Sequence, residues 1–197
     1  MRAPAATKFA PLAGLGVGAI AGGIYWLAVQ LWPSSVALIL SMLAGTLLTD
    51  DLRRAAAASR IEVLSQLFYF LLKYNVLMAL SAAKLPFAAP PDSALCLIMI
   101  CGYGAARSLL VWLASRTPRS AAPLSHWDLS VALLLGFCPA LLLGIPGLIG
   151  LAAAVVSVIG LSAAARRGMA ESGGIMLASW LAETCFYLGA QAGWSYV

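Results

Sequence analysis

The chain has 197 residues, 62% of them hydrophobic and only 10% charged, with a mean hydropathy of +0.95 and a formal net charge of +5. That balance leaves no room for a separate soluble domain. It also argues against nucleic acid as the partner of the basic charge, because Lys and Arg in the loops of so apolar a chain set membrane orientation.

Apolar stretches predict seven helices, over 9–32, 34–49, 61–83, 93–114, 128–144, 147–165 and 173–193. Most are near the ~20 residues that carry a helix across a hydrocarbon core of about 30 Å. The expected fold is all-α: a polytopic transmembrane bundle of about seven spans, in a single integral membrane domain covering 1–197. The first stretch follows a short basic segment, Met1–Lys8. At about 24 residues it exceeds the h-region of a cleaved signal and is expected to stay as a helix. It carries Gly14, Gly18 and Gly22 at a spacing of four, a ridge that admits a second helix at close range. Packing within the chain is its expected use, and a homodimer contact is the alternative. Pro33 ends this helix, the second is short, and Pro86, Pro90 and Pro91 mark the connection from the third to the fourth. Gly144-Ile145-Pro146-Gly147 divides the fifth and sixth as a tight turn, making them a hairpin. Cys96, Cys101, Cys138 and Cys185 lie in apolar stretches without CxxC spacing and are expected as small buried hydrophobes. His126, the single histidine, lies in a polar loop and makes neither a zinc site nor a triad.

With the N-terminus inside, nine of the 12 Lys and Arg fall on the inner face: Arg2, Lys8, Arg53, Arg54, Arg60, Arg116, Arg119, Arg166 and Arg167. Only Lys84 falls outside, which favours an odd number of spans. A multi-pass protein of a bacterial inner membrane with a cytoplasmic N-terminus is expected, its chemistry facing the cytoplasm. Asp50, Asp51, Glu62, Asp128 and Glu171 lie on or near that face. Three ionisable residues remain within helices. Lys73 sits about 18 Å from the cytoplasmic end of helix three, and Glu183 about 15 Å into helix seven from the same side. Either alone would cost several kcal/mol in hydrocarbon, so a Lys73–Glu183 pair is expected. It serves either to fix helix register or to line a polar cavity open to the inside. Arg107 lies nearer the inner surface, where it snorkels or meets a phosphate with its planar fork.

The order of these landmarks resembles cobalamin synthase, the adenosylcobinamide-GDP ribazoletransferase family. `FAPLAGLGVGAIAGGIYWLAVQLWP` is similar to that family's Gly-rich first helix with its Trp-Pro exit, and `LAGTLLTDDLRRAA` to its short second helix and acidic loop. `LLKYNVLMAL`, `GYGAARSLLVWLA`, `RRGMAESGG` and `ASWLAETCFYLGA` follow in the family's order, so the likeness spans nearly the whole chain. The resemblance implies transfer of the corrinoid-phosphoryl group of adenosylcobinamide-GDP to α-ribazole or its 5′-phosphate, with release of GMP and with Mg²⁺ as cofactor. Asp50, Lys73, Arg107 and Glu183 match its catalytic positions, and Gly168 matches as well. Arg53, Arg54 and Arg107 are the expected phosphate partners. Asp50, Asp51, Glu62 and Glu171 are the carboxylates left to hold the metal.

The acidic loop departs from the family's H-x-D-G-x-x-D followed by a further Asp. Leu48 stands at the His, Asp51 at the Gly, and Arg54 and Ala57 at the second and third Asp. A turn that the family carries is missing between Glu62 and Leu67, and the late Thr-Gly-Asp reads Glu171-Ser172-Gly173. Two readings follow: a membrane transferase of this type, or an inactive relative that binds corrinoid or assembles with other corrinoid-pathway proteins. A small transporter is a third, without the inverted repeats or broken helices that would favour it. A CDP-alcohol phosphotransferase needs more Asp and Gly than Asp50-Asp51 supplies.

The charge asymmetry makes a direct prediction. In a cysteine-free background, Ser93→Cys labels with an impermeant maleimide from outside and Ser120→Cys does not. The reverse pattern refutes the orientation.

Overall fold

The computed structural model describes residues 9–49, 60–81, 91–116, 125–164 and 174–195. Within them the chain is all-helical: α1 Ala10–Ala28, α2 Ser34–Leu48, α3 Arg60–Ser81, α4 Pro91–Ser115, α5 His126–Leu141, α6 Ile145–Ala164 and α7 Gly174–Trp194. Each falls on one of the seven stretches read from the sequence. The differences lie at the ends. α1 stops at Ala28, four residues short of 32, because the chain tightens before Pro33. The amides of Gln30 and Leu31 reach back three residues, to the carbonyls of Leu27 and Ala28, and a residue preceding proline is pushed out of the helical region. α5 starts two residues earlier than 128, so His126 is helical rather than in a loop. Ser125 caps it by accepting from the Trp127 amide at 3.4 Å, and Asp128 lies in the first turn, where the helix dipole favours an acid. The α5–α6 turn is shorter than Gly144–Gly147. Gly144 takes φ +65, which suits glycine, and α6 is already under way at Ile145.

Among the described residues, three helical segments are long and apolar enough to cross a membrane: Ala10–Ala28, Ala94–Ser115 and Ile145–Ala163. α2 and α5 are apolar but have 15 and 16 residues. The described surface carries large apolar side chains, among them Leu31, Phe68, Leu134 and Val156. In water such a surface would drive aggregation; in lipid it is the solvent-matched one. Cys138 belongs to it. Cys101 is buried and Cys96 and Cys185 half-buried, but Cys138 is exposed, about one turn from the exposed Leu134 and from the exposed Leu141 on the same stripe of α5.

The residues form two compact units, Gly16–Ile100 and Met1–Leu15 with Cys101–Val197, whose boundaries fall within α1 and α4. In the Gly16–Ile100 unit, α1 packs antiparallel on α4. A Cβ on Gly18 would lie 2.7 Å from Ile100 Cα, and one on Gly22 would lie 3.1 Å from Cys96 Cα. A step of four up one helix matches a step of four down the other. The close approach lets the Cys96 thiol donate to the Gly22 carbonyl at 3.0 Å. Buried Ser41 of α2 donates to the Ala21 carbonyl at 2.7 Å. In the other unit, Gly14 lies against the Tyr103 carbonyl and the Arg107 stem. The ridge Gly14, Gly18 and Gly22 thus packs within the chain.

The same device joins α4 to α5 and α6 to α7. Buried Ser108 of α4 donates to the Ala132 carbonyl of α5 at 3.1 Å, and a Cβ on Gly136 would collide with the Ser108 hydroxyl and the Gly104 carbonyl. Gly150 of α6 faces the Phe186 carbonyl, Gly189 faces that of Ile149, and Gly193 faces Pro146, an antiparallel contact along most of both helices.

Gly136→Ala is therefore expected to lower the thermal midpoint in detergent, at an overpacking cost of about 1–3 kcal/mol. Gly160→Ala, whose added Cβ meets nothing, should be neutral or gain up to about 1 kcal/mol of helix propensity. Equal shifts for the two variants refute close packing at Gly136.

Candidate functional site

A membrane helix conceals its backbone polarity, so a charge in its middle is the expensive feature. Glu183 is the tenth of the 21 residues of α7 and is 4% exposed. The Tyr187 hydroxyl, one turn further on, donates to Glu183 Oε1 at 2.8 Å. That spacing puts both side chains on one face of the helix. The Tyr187 ring lies over Gly102 of α4, where a Cβ would run into the ring and its hydroxyl. It also meets Phe186 edge to face at 6.0 Å. Gly102 thus leaves room for the phenol, and the phenol holds the carboxylate. Thr184 beside it is 3% exposed, and its hydroxyl has no hydrogen-bond partner among the described residues.

Arg107 belongs to the same unit. It is half-buried, with its Cβ and Cγ against Gly14. This contact fits a snorkelling side chain, apolar stem on the helix and guanidinium beyond it. At the end of α4, the Arg116 guanidinium stacks over Trp112 at 5.0 Å, an arrangement suited to a membrane interface.

Lys73 lies in the Gly16–Ile100 unit. It is 3% exposed, on a buried stripe of α3 with Val76, Leu77 and Leu80. Its ammonium is 5.8 Å from the centroid of the Tyr69 ring, one turn back on the same helix. Lys73 and Glu183 stand in different units, and each is described by its own surroundings.

The acidic loop and its neighbours are a different matter. Asp50, Asp51, Arg53, Arg54 and Glu171 lie outside the described residues, as does the side chain of Glu62. Among the described residues, no three His, Cys, Asp or Glu side chains gather as they would around one metal ion. The structure thus locates three of the sequence-derived site residues, Lys73, Arg107 and Glu183. Sequence reasoning missed Tyr187 and Gly102. Tyr187 had a visible signal, its place four residues after an acid within an apolar stretch. Gly102 had none, since its role depends on which helix α4 meets.

No family model matches the chain, and no curated protein and no solved structure matches it.

Tyr187→Phe removes the hydroxyl donor from Glu183 and keeps the ring. It is expected to cost about 1–3 kcal/mol, the range for a buried acceptor left short of a partner. Adding Glu183→Gln should recover part of this, because a neutral amide is cheaper to desolvate than a carboxylate. Strictly additive losses in the double variant would show that the two side chains do not act together.

Proposed function

We propose that the protein is a seven-span membrane protein of the cobalamin synthase type, with its N-terminus on the cytoplasmic side of a bacterial inner membrane and a corrinoid-nucleotide site opening to that face. The observation that carries this reading is the burial of Lys73 and Glu183, at 3% and 4% exposure, in the middle of apolar helices. A structure in lipid does not retain such charges at random. Both fall at positions where the sequence resembles that family, in a chain whose helices follow the family's order.

In this reading the α-ribazole hydroxyl oxygen attacks the corrinoid-side phosphorus of the diphosphate linkage. The bond from that phosphorus to the oxygen of the GMP phosphate breaks, and GMP leaves with the bond's electrons. The hydroxyl proton passes to a carboxylate or to water. Arg53, Arg54 and Arg107 bind the phosphates and offset their charge. Glu183 would give its unit a buried negative group, with Tyr187 fixing the carboxylate. Mg²⁺ bound among Asp50, Asp51, Glu62 and Glu171 would supply the remaining charge neutralisation.

One observation favours the second reading, an inactive corrinoid-binding relative. Leu48, Arg54 and Ala57 replace a histidine and two aspartates of the family's loop. Arg54 would then pair with Asp50 or Asp51 where the family places a metal ligand.

Purified protein in nanodiscs, given adenosylcobinamide-GDP and α-ribazole, separates the two readings. An active transferase releases GMP only with Mg²⁺ and loses turnover in Asp50→Asn. An inactive relative binds the corrinoid without releasing GMP. Neither release nor binding refutes the corrinoid assignment altogether.

A further inference from the structure

In hydrocarbon the hydroxyl of a helical Ser or Thr has no water to bond, and the carbonyl one turn back takes its place. Thr46, Thr49, Ser108 and Ser130 each donate to that carbonyl, at 2.9 to 3.2 Å. Thr184 of α7 does not. It is 3% exposed, and its hydroxyl has no hydrogen-bond partner among the described residues. Leu177 and Leu188, two turns before it and one turn after it, are exposed, so Thr184 is a buried member of an outward stripe. A buried hydroxyl left without a bond is costly and points to a ligand.

Thr184 follows Glu183 directly and precedes Tyr187 by three residues. At about 100° per residue, Tyr187 lies between the other two on the surface of α7, about 40° from Glu183 and about 60° from Thr184. A carboxylate, an alcohol and a phenol thus share one sector of the helix. Its centre faces α4, because the Tyr187 ring lies over Gly102. The donor set narrows the ligand. All three side chains offer oxygen, with neither nitrogen nor sulfur, which suits a hard cation. The Tyr187 hydroxyl donates to Glu183 Oε1 at 2.8 Å. A carboxylate has about four lone-pair sites, and a hydroxyl keeps acceptor capacity while it donates, so this bond and a cation are compatible. One carboxylate carries one negative charge. A monovalent cation matches it, whereas a divalent one would bring excess positive charge into hydrocarbon. Water could satisfy the hydroxyl but brings no charge. The close approach at Gly102, where a Cβ would run into the phenol, favours a small ion.

We propose that Glu183, Thr184 and Tyr187 form a sodium-binding site on the face of α7 that meets α4. The proposal rests on the membrane reading and is independent of the corrinoid chemistry.

Thermal unfolding of the full chain in nanodiscs, in sodium, potassium or choline chloride at equal ionic strength, tests it. Sodium should raise the midpoint saturably, as a ligand of the native state alone does, and potassium and choline should not. Thr184→Val keeps the shape and removes the hydroxyl. Without sodium it should be at least as stable as the wild type, because no unmet hydroxyl remains. Its half-saturating sodium concentration should rise about tenfold, equivalent to ~1.4 kcal/mol. Thr184→Ser should keep the wild-type response, and Glu183→Gln should lose it. A second measurement needs no variant: equilibrium binding of radioactive sodium to the wild type should saturate near one ion per chain. A midpoint that follows ionic strength whatever the cation, an unchanged sodium response in Thr184→Val, or no bound sodium would overturn the proposal. Carbonate extraction of membranes, scored separately, tells failure of this site from failure of the membrane reading.

Discussion

Helices in hydrocarbon gain nothing from hiding leucine, since lipid is as apolar as the side chain, and association must come from backbone approach and from hydrogen bonds that only close approach allows. Contacts within each unit follow that constraint. Gly18 and Gly22 bring α1 onto the backbone of α4, and the Cys96 thiol then reaches the Gly22 carbonyl. Gly136 brings α5 onto α4, and the Ser108 hydroxyl reaches the Ala132 carbonyl. In each case a small residue opens the gap and a polar side chain crosses it. Large apolar residues occupy both places: Leu38, Leu77 and Ile98 are fully buried, while Leu31 and Phe68 face outward.

The same solvent gives the buried charges their significance. A carboxylate at the centre of α7 keeps its place only if neighbours replace water, and the phenol of Tyr187 does part of that. The phenol in turn fits only because residue 102 has no side chain. A single glycine on α4 therefore bears on the electrostatics of α7. Lys73 shows the complementary strategy: its stem lies on an apolar stripe and its ammonium lies near the face of Tyr69.

Much of the architecture was legible because lipid imposes a simple code. Helix existence followed from apolar length, the end of α1 from Pro33, and the ridge from the spacing of Gly14, Gly18 and Gly22. The start of α5 was also written in Ser125 and Asp128, a cap three residues before an acid, though the apolar run alone places it later. Pairing was not legible. Nothing local to Gly22 specifies Cys96, more than seventy residues away, and nothing in Gly102 announces a phenol. The outward turn of Cys138 was hidden for the same reason, since its stripe is apolar on every side and only the neighbours of α5 decide which face is left for lipid. Of the site, the buried charges were legible as exceptions to composition.

Arg54 would bear on how any phosphate chemistry at its loop balanced its charge. The chain has seven acids against 12 Lys and Arg, and only Glu183 is described as buried at mid-helix. An acidic loop can approach a polyphosphate only with a metal between like charges. An arginine in that loop can meet the phosphate directly, by two parallel hydrogen bonds, or can neutralise a neighbouring aspartate instead. The first alternative lowers the demand for metal; the second removes a ligand and a cation together.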